Sequence, residues 1–322
     1  MSRAAALPTR DALVATAGES IRRGSKSFAA ASRLFDRATR ERAWLLYAWC
    51  RRCDDLADGQ DHGHGTAAVP DPAARLAYIR ACTDAALAGH WVGDSAFDAL
   101  RIVAAETGLP HGLAYDVIEG FALDADGWTP RHEEDLMRYC YHVAGAVGCM
   151  MALVMGVEPD DQDTLDRACD LGLAFQLANI ARDVEEDDRA GRCYLPDDWL
   201  TEMDIPPGQH MKPPFRQRLA VLVQRLVDKA ALYEASARGG TPKLELRSAW
   251  AVLAAAEIYG GIGRKVAAAG EHAWDHRVTT GAGEKLTAIL RAGGEALQRK
   301  RRYASVPRPA ELWTRPRHQI PR

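Results

Sequence analysis

Asn179, Asp183 and Asp187 stand four residues apart in the stretch Gln176-Leu-Ala-Asn-Ile-Ala-Arg-Asp-Val-Glu-Glu-Asp187. On a helix that spacing stacks three oxygen-bearing side chains on nearly one face. Leu171, Ala174, Phe175 and Ala178 precede them and read as the buried part of the same helix. Oxygen ligands turned inward need a cation, and a set without Cys or His suits a hard ion, Mg²⁺ or Mn²⁺. A solvated acidic helix end is the plainer alternative, because Glu185, Glu186 and Asp188 lie in the same stretch. A second pair shifts the balance. Asp54 and Asp58 are again four apart and close the apolar run from Ala43 to Cys50. Two acidic clusters facing each other across a cavity could hold a diphosphate between them, since Mg²⁺ keeps substrate phosphates in its shell.

The elements that must carry these clusters read as helices throughout. Spans are expected at about 41–58, 73–89, 94–107, 111–125, 131–156, 161–188, 215–237, 243–269 and 283–302, separated by Gly- and Pro-containing breaks. In the 131–156 span, Leu136, Cys140, Val143, Val147, Met150 and Val154 alternate steps of four and three, which is core spacing. Gly145 and Gly148 within it predict close approach by a neighbouring helix or a ligand. The methionines there read as core filler. Alternating β-branched runs are almost absent, so the expected fold is a single all-α domain. Its expected limits are residues 18–302, between an N-terminal segment (1–17) and a basic Pro/Arg-rich tail (303–322).

Composition narrows the function classes. The formal charge of −3 makes no general case for nucleic acid. From Arg299 onward, however, eight Lys or Arg face one acid, Glu311. That tail is read in two ways: as solvated and disordered, or as a peripheral attachment to anionic lipid. The seven cysteines are odd in number and sit mostly in apolar helical contexts, which fits a reducing, cytoplasmic setting. Cys50 and Cys53 lie within a helical pattern with no strand before them, so they read as half-buried helix residues. Met1 to Arg10 has no apolar core of a secretory signal, and no run is long and apolar enough to span a membrane. His62 and His64, in a Gly/His/Pro-rich loop, read as solvated. Gly24-Ser-Lys-Ser-Phe28 near a helix start could bind phosphate or simply cap a helix.

Tyr47-x-x-Cys-Arg51-x-x-Asp54-Asp-x-x-Asp58, Phe175-Gln176-x-x-Asn179-Ile-x-Arg182-Asp183-x-x-Glu186-Asp187 and Gly191-Arg-x-Tyr194-Leu-Pro together resemble the squalene and phytoene synthase family. The resemblance runs from Ser25 to about Tyr259. The pairing of the two acidic motifs is its specific part, and Cys53 to Gly59 with Gly191 to Pro196 is most similar to bacterial phytoene synthases. It implies an isoprenoid-synthase helical bundle with a central cavity and a head-to-head condensation of two prenyl diphosphates. It implies Mg²⁺ ligation by Asp54, Asp58, Asn179, Asp183 and Asp187. Substrate contacts are implied at Ser25, Lys26, Ser27, Tyr47, Arg51, Gln176, Arg182, Tyr194 and Tyr259. Gly24 departs from the pattern, since some relatives carry His there.

Chemistry adds expectations of its own. Arg51, beside the first cluster, can reach a phosphate bidentately. Phe28, Val143, Val147 and Phe175 are expected to line a water-excluding cavity, and the rings of Tyr47 and Tyr259 could steady cations. Ser32 shares a helix face with Ser25 and Phe28, which predicts a place deeper along the pocket. No NADPH is expected, because no Gly-x-Gly-x-x-Gly follows a strand. Three alternatives stand beside phytoene formation. A C30 product could arise from two C15 substrates. A catalytically silent relative could serve as an assembly factor. A terpene cyclase would share the bundle but not the flanking motifs.

Overall fold

The computed structural model describes residues 7–58 and 71–318, without the side chains of Lys26, Ser27, Ala30 and Asp58. His62 and His64 therefore lie outside the described residues. Among these, thirteen α-helices occur and no strand: α1 (Arg10–Gly24), α2 (Lys26–Ala31), α3 (Arg37–Asp58), α4 (Pro72–Leu87), α5 (Ser95–Thr107), α6 (His111–Ala125), α7 (Glu133–Cys140), α8 (Ala146–Val154), α9 (Gln162–Arg189), α10 (Asp197–Glu202), α11 (Arg216–Arg238), α12 (Leu246–Ala269) and α13 (Ala282–Tyr303). The all-α expectation holds, and most expected spans match to within a few residues.

The long central helix, α9, has 28 residues and is about 42 Å long. Asp161 starts it by accepting from Thr164 N at 3.1 Å. Leu165, Leu173, Leu177 and Ala181 bury one side of it, and α8, α11 and α12 pack around it. Close approach to α8 is made by glycine. A Cβ on Gly172 would overlap the carbonyl oxygen of Ala144, and one on Gly148 would overlap that of Ala168. The partner expected for Gly148 is thus a helix.

Two interruptions depart from the sequence reading. The expected 131–156 helix is one continuous path, but Tyr141–Gly145 forms a π-helical turn between α7 and α8. The turn inserts an extra residue. Leu136, Cys140, Met150 and Val154 stay in the core, and Val143 and Val147 face the central cavity, as expected of them. The chain also breaks at Ser25, whose hydroxyl accepts from Phe28 N at 3.3 Å and caps α2. Beyond α2, Ser32 sits in a 3₁₀ turn and is fully buried. Its hydroxyl accepts from Trp44 Nε1 at 2.9 Å and donates to Ala29 O at 2.9 Å, so it packs against α3 and is absent from the cavity wall.

The C-terminal segment is folded back rather than extended. Arg308 reaches Asp170, itself 0% exposed, at 2.7 and 2.9 Å. Arg315 and Arg317 both pair with buried Asp166 at 2.9 Å. His318 meets Asp116, Leu312 is buried, and the Trp313 ring lies 5.7 Å from that of Tyr141. These contacts strap residues 304–318 across the N-terminal half of α9 and across α6. The sequence division at 303 does not separate a free tail from the bundle.

Candidate active site

A cavity of about 420 Å³ lies between α3, α6, the π turn, α8 and α9. Tyr47, Arg51 and Asp54 enter it from α3, and Gln176, Asn179, Asp183 and Asp187 from α9. Residues at least 122 positions apart in sequence (54 to 176) thus share one wall-to-wall space, as the two acidic motifs predict. Val117, Phe121, Val143, Val147 and Ile180 supply its apolar side.

Both clusters are held by arginine. Arg51 Nη1 donates to Asp54 at 2.5 Å. Arg182 forks onto Asp183 at 2.7 and 2.5 Å, and Arg277 adds an ion pair to Asp183 at 2.9 Å. Among the described residues no three His, Cys, Asp or Glu side chains close on one point as a ready-made metal cage. The donor set nevertheless fits a hard ion that keeps water or phosphate oxygens in its shell, because Asp54, Asn179, Asp183 and Asp187 offer only oxygen to the same space. The carboxyl of Asp187 carries the electrostatic mark of that crowding. Burial first, then Asp183, push it up from 3.8 to about 7, against the pull of Arg192.

At the α3 wall, Tyr47 Oη and Arg51 Nε are buried without a hydrogen bond of good geometry. Unpartnered buried donors facing a cavity suit a ligand oxygen. Gly24 has a physical reason here: a Cβ on it would strike Tyr47 Oη. The space that a side chain at position 24 would need is taken by the tyrosine hydroxyl.

Sequence reasoning named Tyr194 but missed the rest of an aromatic and acidic wall. Asp124 of α6 accepts from Tyr139 Oη at 3.0 Å and from Tyr194 Oη at 2.9 Å. The two rings stack at 4.8 Å, with Trp128 on the far side of Tyr139 at 5.4 Å. Burial, helped by Asp124, pushes both phenols well above their ordinary value, so they stay neutral donors. Arg192 joins this wall. It lies inside the quoted Gly-Arg-x-Tyr motif, which was the available signal; Asp124 and Tyr139 carried none.

Several expected contacts are not in the cavity wall. Phe28 stands behind Tyr47, ring centres 5.7 Å apart. Phe175 and Tyr259 stack at 4.2 Å, and Phe175 borders a separate, smaller cavity of about 70 Å³. Phe175 is turned about 100° around α9 from Gln176, toward Ala174 and Ala178, with which it lines that smaller cavity. Arg182 touches Asp183 rather than the cavity, and Ser25 is occupied as a cap. The side chains of Lys26, Ser27 and Asp58 lie outside the described ones.

The family model for squalene/phytoene synthase matches residues 21–284. The chain belongs to this family. It is 48% identical over 295 residues to a 15-cis-phytoene synthase from Pantoea ananas, covering 91% of this chain and 94% of that one. It is 46% identical to one from a Paracoccus species, covering 95% and 99%. A crystal structure of a dehydrosqualene synthase superposes with a TM-score of 0.79 at 26% identity, covering 90% of this chain and 98% of that one. A squalene synthase from Alicyclobacillus acidocaldarius, at 23% identity, has a TM-score of 0.72 and shares the helical bundle.

Proposed function

We propose that this chain is a Mg²⁺-dependent 15-cis-phytoene synthase of carotenoid biosynthesis, joining two geranylgeranyl diphosphates head to head. The observation that carries the reading is the single cavity in which the α3 and α9 acidic motifs meet an apolar wall, in a chain 46–48% identical to enzymes named for this activity. Asp54, Asn179, Asp183 and Asp187, with Asp58 by family resemblance, would hold Mg²⁺. When bound, the ion supplies charge neutralisation for a departing diphosphate.

The chain's own groups do the rest. Arg51 and Arg192 present cationic groups to phosphate oxygens at opposite walls. Tyr47 Oη and the Arg51 guanidinium lie against each other without a hydrogen bond of good geometry and can turn their donors to a ligand oxygen. Val117, Phe121, Val143 and Val147 keep water from the allylic cation left behind. The second substrate's double bond then attacks, and a proton is lost to give a cyclopropyl diphosphate. That intermediate loses the second diphosphate at the same site, rearranges and sheds another proton to give phytoene. Asp124, by fixing Tyr139 and Tyr194, orients two neutral hydroxyls along this path.

The dehydrosqualene synthase likeness favours, as a second reading, a C30 product from two farnesyl diphosphates; the identity to phytoene synthases supports the C40 one. A silent assembly factor is disfavoured because each acidic residue of both motifs is present. The test is turnover with and without EDTA. Chelation should abolish product formation and Mg²⁺ or Mn²⁺ should restore it, while Asp183→Asn should lower kcat by orders of magnitude with the melting temperature nearly kept. EDTA-insensitive turnover, or full activity in Asp183→Asn, overturns the metal assignment.

A further inference from the structure

Helix α13 buries Ala288, Ala292, Ala296 and Arg299 against the bundle, where Leu253 and Ala254 of α12 receive it. Its opposite face is unusual for a surface helix. Leu286, Leu290 and Leu297 are 58%, 65% and 73% exposed. At 100° per residue they fall within about 40° of one another and run for about 16 Å along the helix. Single exposed leucines need no explanation, but an aligned stripe does.

The charges around that stripe identify its partner. Lys300, Arg301 and Arg302 are exposed at its C-terminal end, and Arg291, exposed on its flank, pairs with Glu257 at 3.8 Å. The one acid on the exposed face, Glu284 at the far end, is bound by Lys265 at 2.6 Å. A second copy of the chain fits poorly. Pairing the stripes in parallel sets the two Lys-Arg-Arg clusters side by side, and antiparallel pairing sets each cluster against the Glu284 end of the other copy, where Lys265 already holds the acid. An anionic lipid surface satisfies both features, taking the leucines among its acyl chains and the cations at its headgroups. The arginines further along are not available for this role, since Arg308, Arg315 and Arg317 are consumed by Asp170 and Asp166.

We infer that α13 is a membrane-surface helix, lying flat on anionic lipid through Leu286, Leu290 and Leu297 with Lys300, Arg301 and Arg302 at the headgroup level. This inference stands independently of the reaction the cavity performs. It moves the lipid contact from the tail, where composition suggests it, to a folded helix.

The experiment is co-sedimentation of the full chain with vesicles of phosphatidylcholine plus phosphatidylglycerol, and with phosphatidylcholine alone. The unaltered chain should pellet with the anionic vesicles and release as salt rises. Leu286→Ser/Leu290→Ser/Leu297→Ser should lower partitioning by about tenfold or more. Lys300→Gln/Arg301→Gln/Arg302→Gln should lower it by up to roughly a hundredfold at low salt, at about fivefold per charge, and remove most of the salt dependence. Both variants change only exposed side chains, so melting temperature and turnover of dispersed substrate should match the unaltered chain. No binding of the unaltered chain to anionic vesicles overturns the inference. So does unaltered binding by either variant. Self-association that the leucine variant abolishes, without vesicle binding, assigns the stripe to a second copy instead.

Discussion

The sharpest consequence of the site's electrostatics concerns Asp187. Its carboxyl ordinarily titrates at 3.8 and is pushed up to about 7, by burial first and then by Asp183. In the folded chain it therefore keeps its proton to higher pH than in the unfolded chain. Stability from this group is complete below 3.8 and is lost as pH rises through about 7. A displacement of that size is worth at most roughly 4 kcal/mol, and water in the open cavity reduces it to about 1–2 kcal/mol. For a chain of this length that is about 1.5–3 °C in Tm. Divalent cation reverses the sign, because it binds the charged form. Thermal unfolding should thus show Mg²⁺ raising Tm strongly at about pH 8 and hardly at about pH 5. Asp187→Asn should raise the metal-free Tm at about pH 8 and lose most of the Mg²⁺ response. Equal Mg²⁺ stabilisation at both pH values, or in both proteins, would refute the reasoning.

Two further predictions follow from packing. Gly172→Ala places a methyl on the Ala144 carbonyl, backbone against backbone. It should destabilise by about 2–3 kcal/mol or prevent folding; an unchanged urea midpoint would show that α8 and α9 can separate cheaply. Ending the chain at residue 303 strips Arg308 from Asp170 and Arg315 and Arg317 from Asp166. It should lose about 3–5 kcal/mol. Burial already pushes the Asp170 carboxyl up, so the truncated form should weaken further as pH rises. Equal urea stability with and without the segment would mean that the strap is not structural.

The two motifs could be read because each is local. Asn179, Asp183 and Asp187 need only one helix to align, and so do Arg51 and Asp54. Helix limits were legible for the same reason, from periodicity and from breaks such as Gly108-Leu-Pro110. What joins distant segments was not. Asp166 and Asp170 give no local sign that their partners lie at 308–317, so those arginines read as free charge. The π turn at Tyr141–Gly145 has no signature in side-chain spacing, although the cavity position of Val143 and Val147 was legible. Ser32 was placed by extending a helix that ends at Ala31, and a change to a 3₁₀ turn rotated it onto Trp44. Asp124 is invisible without Tyr139 and Tyr194 beside it.

The central claim is that this cavity couples two C20 diphosphates without a reductant. Its most direct test is product analysis after incubating the full chain and Mg²⁺ with geranylgeranyl or farnesyl diphosphate, each with and without NADPH. The account predicts phytoene and diphosphate from the C20 substrate, at a rate that NADPH does not change, and much slower turnover of the C15 substrate. A C30 hydrocarbon formed faster from farnesyl diphosphate, or a product that appears only with NADPH, would contradict it.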